Sequence, residues 1–229
     1  MYVVSAASSA STMVSMYVHG ATQPTWTKNM EGYRAKSCAV NPLTGNLAIY
    51  TQNPGGHDEI AIYPKAGGGP TQYVMPHEHE PAHYFAYNGQ GPLYASVRRK
   101  DRRWEVAEMR VVERRHYTFL AIDKQIDLGQ LQWEGSYFAA FKGPMVYHLA
   151  ITASGMTVVG KTFAEKKQTP SWIEDSNVLI GAYGKNRSEL AFWSYPKGGK
   201  AYKVIPLVDP YFTDVNSILV SVAASQRRR

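Results

Sequence analysis

Four of the seven histidines fall within 27 positions, from His57 to His83. They sit in two acid-rich segments, His57-Asp58-Glu59 and His77-Glu78-His79-Glu80-Pro81-Ala82-His83. Imidazole and carboxylate together suit a divalent transition metal such as Zn, Ni, Mn or Fe. A histidine beside a carboxylate is also the ordinary general acid/base pair. His57, Asp58, His77, His79, Glu80 and His83 are therefore the candidate ligand-binding residues, with His57, His77 and His79 as candidate metal ligands. The bland alternative is a solvated loop, because alternate residues of an extended segment point opposite ways and cannot all converge. The spacing is not the H-E-x-x-H of a helical zinc site. No residue is assigned a catalytic role.

A second cluster is cationic. Arg98, Arg99, Lys100, Arg102, Arg103, Arg110, Arg114 and Arg115 lie within 20 positions, interleaved with Trp104 and Tyr117. Arginine with aromatic side chains is the composition of a surface for nucleic acid or another polyanion. Arg98, Arg99, Arg102, Arg103 and Trp104 are the candidate polyanion contacts. Asp101, Glu105, Glu108 and Glu113 offer the competing account, a solvated face that pairs with itself. This segment and Arg227-Arg228-Arg229 account for the whole formal charge of +7, so the rest of the chain is neutral. There is no zinc-finger, RNP, phosphate-loop or G-x-S-x-G motif.

These residues need elements to hold them, and the elements repeat. A turn followed by a short apolar strand occurs at Gly45–Tyr50, Gly91–Ser96, Gly135–Ala140 and Ser176–Gly181. A strand precedes each turn, at Ser37–Asn41, Tyr84–Asn88, Gln130–Glu134 and Ser171–Asp175. A third strand ending in a glycine turn is clearest where Ile60–Gly68 matches Ala191–Gly199. A fourth follows at Thr71–Met75, Thr157–Thr162 and Ala201–Ile205. Four strands in roughly 45 residues is the period of a β-propeller blade. Each such sheet needs neighbours to cover both faces.

The expectation is an all-β fold, a five-bladed propeller of four-stranded antiparallel blades occupying 1–226, with 227–229 a basic tail. Strands at Tyr2–Val4 and Met13–Val18 begin the chain inside a blade. Asn216–Ala223 would supply that blade's first strand and close the ring, removing its exposed edges. The Gly- and Pro-free stretch Val97–Leu128 is assigned strands near Glu105–Val111 and Tyr117–Ile122. In this frame the His57 segment joins two strands of one blade and the His77–His83 segment leads to the next, so both open on one face. The basic cluster belongs to the third of the five blades.

The residues Ser37–Ala48, Gln132-Trp133-Glu134-Gly135 and Phe192–Gly199 resemble bacterial NHL-repeat and streptogramin-lyase-like propellers, most nearly an exported, uncharacterised group. The resemblance covers nearly the whole chain and is carried by blade-building residues. It implies export or a periplasmic setting, although Met1–Val18 lacks the basic start and unbroken apolar run of a signal peptide. It also implies a shortened form of a longer propeller. No lyase catalytic motif aligns.

The chain's 44% hydrophobic content is enough for a core. No apolar run is long enough for a spanning helix. One cysteine, Cys38, excludes an internal disulfide. Three functions follow. The first is a non-enzymatic binding or scaffold propeller whose partner is a small molecule, carbohydrate or protein. The second is a metal-assisted lyase or hydrolase. The third is a polyanion binder acting through the basic blade.

Overall fold

The computed structural model describes residues 2–8, 11–16, 23, 26–31, 34–41, 43–52, 58–66, 69–74, 79–109, 117–184 and 189–206. The described residues form strands throughout, with one 3-10 turn at Pro64–Ala66. An N-terminal sheet holds β1 (Tyr2–Ser8), β2 (Ser11–Met16) and β3 (Trp26–Glu31). The first complete blade is β4 (Arg34–Val40), β5 (Leu47–Gln52), β6 (Asp58–Tyr63) and β7 (Thr71–Val74). The second is β8 (His79–Tyr87), β9 (Leu93–Arg99), β10 (Trp104–Met109) and β11 (Tyr117–Ala121). The third is β12 (Gln130–Trp133), β13 (Phe138–Lys142), β14 (Met145–Thr152) and β15 (Gly155–Phe163). The fourth is β16 (Lys167–Glu174), β17 (Val178–Tyr183), β18 (Glu189–Ser194) and β19 (Lys203–Pro206).

Each blade is an antiparallel meander in chain order, as the repeats predict. The strands expected within Val97–Leu128 are β10 and β11. The blade count differs from expectation: the described residues form four four-stranded blades, not five. The N-terminal sheet has three strands, and its expected fourth, Asn216–Ala223, lies outside the described residues together with the closure it would make. Counted among complete blades, the basic segment belongs to the second.

The first strands run side by side: β4 lies against β8, β8 against β12 and β12 against β16, while β1 lies against β4. Successive blades therefore pack face to face. Tyr50, Ile60 and Tyr73 of the first blade cluster with Phe85, Leu93 and Met109 of the second. Tyr94 and Val106 of the second meet Phe138 and Leu149 of the third. Phe141 and Val146 of the third meet Leu179, Trp193 and Tyr195 of the fourth. With both faces covered, strands such as Leu47–Thr51 are buried without a break rather than at alternate residues. That is why the period-2 pattern is weak in the sequence.

Polar side chains lock the seams. Asn41 Nδ2 donates to the Gly91 carbonyl at 3.0 Å, from the first blade to the second. Ser96 Oγ donates to the Gly129 carbonyl at 3.1 Å, from the second to the third. Gln132 accepts from the Ile173 amide at 2.8 Å and donates to the Ile173 carbonyl at 2.7 Å. The Ser171 amide donates to Gln130 Oε1 at 2.9 Å. Each bond satisfies backbone that the neighbouring blade has removed from water. The turn at Gly198 in the fourth blade requires glycine: φ is +70°, and a Cβ there would collide with the Phe163 carbonyl of the third.

Candidate functional site

The antiparallel register brings the two candidate clusters to one edge. His79 stands opposite Arg99, Glu80 opposite Arg98 and Pro81 opposite Val97 where β8 pairs with β9. The β9–β10 turn, residues 100–103, therefore lies beside the start of β8. Asp58 opens β6 opposite Gln52, and Glu59 stands opposite Val74 at the end of β7. Four residues, 75–78, then lead to His79, and the start of β8 lies beside the β9–β10 turn. His57 and His77 lie outside the described residues.

One expectation changes. His79–His83 is not a loop between blades; it is the beginning of β8. The run contains no glycine, and its proline falls within an irregular stretch, where the register shifts between Pro81 and Phe85. His83 lies inside that shift, away from the strand's start.

The β9–β10 turn is held by Asp101. Its carboxylate accepts from the Arg103 amide at 3.1 Å and from Arg103 Nε at 3.0 Å, and Arg99 Nε is 3.5 Å away. The Arg103 backbone N–H, then its side chain, hold the Asp101 carboxyl below its ordinary pKa. Arg99 Nη1 also meets Glu105 Oε1 at 3.2 Å. The self-pairing anticipated from the acidic residues is thus partly present. Lys100, Arg102 and Arg103 remain exposed, and Arg102 takes a left-handed φ of 68° at the tip of the turn. Trp104 is not a free stacking surface: Nε1 donates to Asp127 at 3.1 Å and the ring packs at the seam with the third blade. Arg110, Arg114 and Arg115 lie outside the described residues.

A second polar constellation lies between the third and fourth blades, and sequence reasoning missed it. Tyr195 Oη is 3.0 Å from His148 Nε2 and 3.3 Å from Tyr137 Oη. The His148 and Tyr137 rings stack with centroids 4.8 Å apart. Thr162 Oγ1 donates to the Pro196 carbonyl at 2.8 Å and lies 3.3 Å from His148 Nε2. Burial holds the His148 pKa below its ordinary value and raises that of Tyr195, whose bond to Tyr137 raises it further. Gly160 makes room for the ring, since a Cβ there would sit 2.9 Å from His148 Nδ1.

Glu134 accepts from Gln132 Nε2 at 2.8 Å and from Ser176 Oγ at 3.2 Å. Burial pushes its carboxyl up to about 7, against the smaller lowering effect of Ser176. At the other end of β16, Lys167 is wholly buried, with Nζ 3.2 Å from Ser171 Oγ and 5.5 Å from the Phe141 ring centre. Desolvation lowers its amine to about 7.

Repeat alignment offers a signal for Glu134. The Asn41, Asn88 and Glu134 amides donate to Asn46, Pro92 and Tyr137 across equivalent hairpin turns. Glu134 thus stands where two earlier blades place asparagine. His148 has no comparable signal, because Tyr195 lies 47 residues away in the chain.

Cys38 is buried in β4, and desolvation raises its thiol to about 12, which makes it a packing residue. Among the described residues, no group of three or more His, Cys, Asp or Glu side chains is placed to hold a metal. No described helix is long and apolar enough to cross a membrane.

No family model matches the sequence. No curated protein matches it either. Solved structures do. The β-propeller domain of Myceliophteria thermophila Cps50 (Swd1) is 10% identical with a TM-score of 0.55, over 90% of this chain and 69% of that one. The WD40 repeats of RRP9 are 13% identical with a TM-score of 0.56, over 90% and 60%. A chain of the mitotic checkpoint complex is 12% identical with a TM-score of 0.50, over 73% and 48%. The chain therefore spans about half to two-thirds of the length of those structures. At such identities the likeness speaks for fold alone: this is an all-β propeller built of four-stranded antiparallel blades.

Proposed function

We propose that the chain is a non-enzymatic binding or scaffold propeller that takes an anionic ligand on the face carrying the β9–β10 turn. The observation that supports this is the pairing of β8 with β9, which sets His79 and Glu80 beside Arg98 and Arg99 at that face. Five cations from Arg98 to Arg103 meet three carboxylates there, Glu80, Asp101 and Glu105. Asp101 fixes the turn while Lys100, Arg102 and Arg103 present charge to solvent. Such a fixed cationic turn recognises phosphate or sulfate groups along a polymer without reading sequence. His57, Asp58, His77 and His83 belong to the same proposal as further contacts. Kinship with NHL-repeat and streptogramin-lyase-like bacterial propellers, and with it export, is proposed on Ser37–Ala48, Gln132–Gly135 and Phe192–Gly199.

Titration of the full chain with heparin and with duplex DNA tests the reading. Binding to at least one is expected at low salt and should weaken steeply as salt rises. Arg102→Ala with Arg103→Ala should weaken it roughly tenfold and shallow the salt dependence by about one to two contacts. Absence of binding at low salt, or an unchanged affinity in the double variant, removes the proposal. Heparin binding without DNA binding assigns a sulfated polysaccharide.

A further inference from the structure

The β12–β13 and β16–β17 turns lie at the opposite end of the strands from the β9–β10 turn. Five residues there form a closed circuit of contacts. Trp133 stands opposite Phe138, so the next pair outward is Glu134 and Tyr137, joined by the Glu134 N–H bond to the Tyr137 carbonyl at 2.9 Å. Paired residues of a hairpin carry their side chains on one face. Glu134 Oε2 accepts from Ser176 Oγ at 3.2 Å. Ser176 precedes Asn177, whose carbonyl accepts the Tyr195 N–H at 2.8 Å. Tyr195 Oη returns to Tyr137 Oη at 3.3 Å. Tyr195 is buried, Glu134 and Tyr137 are half-buried, and Ser176 and Asn177 are exposed, so the circuit has a floor and opens to solvent. The β16–β17 turn is held there at a conformational cost. Asp175 and Ser176 take left-handed φ values of 47° and 55° without being glycine.

The hydrogen bonding of this circuit is one-sided. Its donors are already engaged. Ser176 gives its hydroxyl proton to Glu134, and the Tyr195 N–H goes to Asn177. With neutral His148 accepting at Nε2, Tyr195 donates to it and Tyr137 donates to Tyr195, which engages both phenolic protons. The acceptors are not exhausted. Each Glu134 oxygen takes one bond, Oε1 from Gln132 and Oε2 from Ser176, and each has room for another. The Asn177 carbonyl and the Ser176 and Tyr137 hydroxyl oxygens also keep lone pairs. Among the described residues no cation pairs with Glu134, and burial is the main influence on its carboxyl. The Glu134 charge is also felt at Tyr195, whose hydroxyl pKa it raises further. A group that fits brings several donors, no acceptor and a positive charge. We propose that this circuit binds a primary ammonium group, whose N–H bonds meet the Glu134 carboxylate, the Asn177 carbonyl and the Tyr137 hydroxyl. The site stands apart from the cationic β9–β10 turn and does not rest on the anionic ligand.

The test titrates the full chain with n-butylammonium, tetramethylammonium and n-butanol, following the NMR ring signals of Tyr137 and His148. Working at about pH 8 keeps Glu134, with its carboxyl near 7, mostly ionised. n-Butylammonium should bind saturably. Tetramethylammonium has the charge without the donors, and n-butanol has a donor without the charge. Each should bind at least about tenfold more weakly, the worth of one charge-assisted hydrogen bond. Glu134→Gln keeps the shape and should weaken n-butylammonium by about tenfold or more. Tyr137→Phe keeps a ring on His148 and should weaken it roughly threefold. Equal binding of n-butanol or tetramethylammonium overturns the proposal. So does an unchanged affinity in either variant, or no change in the ring signals up to roughly 100 mM. N-acetyl-lysine-N-methylamide separates two sources of the group. Tighter binding than n-butylammonium assigns a lysine side chain of a partner protein, and equal or weaker binding a free small amine. Heparin binding by Glu134→Gln should match the wild type, which keeps a failure here distinct from a failure of the anionic reading.

Discussion

Lys167 and Glu134 are two buried ionisable side chains of the same seam, and each carries its own pH signature. The Lys167 amine falls from an ordinary 10.5 to about 7 because burial disfavours its cation. The folded state therefore prefers the neutral amine. The stability associated with that preference is complete above about 10.5 and is lost as pH falls toward 7. Lys167→Met removes the buried amine while keeping an unbranched stem under the Phe141 ring. At pH 7 it should stabilise the chain by about 1–3 kcal/mol. The gain should shrink as pH rises toward 10, which thermal melts of both proteins across that range would show. A gain independent of pH would assign the effect to packing. Glu134 behaves in the opposite sense. Its carboxyl is raised from 4.5 to about 7, so the stability tied to its protonated form is complete below 4.5 and is lost as pH rises through 7. Glu134→Gln should flatten the decline in melting temperature between pH 5 and pH 7.5; a variant with the wild-type slope would place the titration elsewhere.

At the scale of elements, the seam between third and fourth blades depends on one side chain more than its size suggests. Gln132 makes three hydrogen bonds, two to the Ile173 backbone and one to Glu134. Gln132→Leu keeps the volume but leaves the Ile173 amide and carbonyl without these partners. The cost expected is about 2–4 kcal/mol, from two buried backbone groups. Chemical denaturation of the full chain measures it, and a loss below about 0.5 kcal/mol would mean that water replaces the glutamine. Much of this level was legible in the sequence. Glycine turns before Leu47, Leu93 and Phe138 mark the second strand of the first three blades, since backbone of that shape is chain-local. The charged residues of His79–His83 suggest a loop, while its strand state comes from pairing with β9 across 16 to 20 positions. The His148–Tyr195 pair is invisible for the same reason. Tyr195 lies 47 residues from His148, and only blade packing brings them together.

For the whole molecule, the question is whether the stack behaves as a line or a ring. Blades that contact only their neighbours form a quasi-one-dimensional array, in which an end unit can separate while the rest stays folded. The fourth blade is such an end if its outward face, Trp172 to Ile205, is bare. It is an interior unit if that face is covered. Trp193 distinguishes the two, being fully buried in the seam with the third blade. Trp193→Ala should cost about 3–5 kcal/mol. With the face covered, that loss is shared, and amide exchange should rise in step across β5, β9, β13 and β17 as one cooperative unit. Met109→Ala, at the seam between the first and second blades, should then produce the same uniform pattern. With the face bare, Trp193→Ala would release β16–β19 alone and leave β5 and β9 protected, and the two substitutions would give different exchange maps. Matching maps are the outcome expected of a ring, in which the fourth blade has a neighbour on each side.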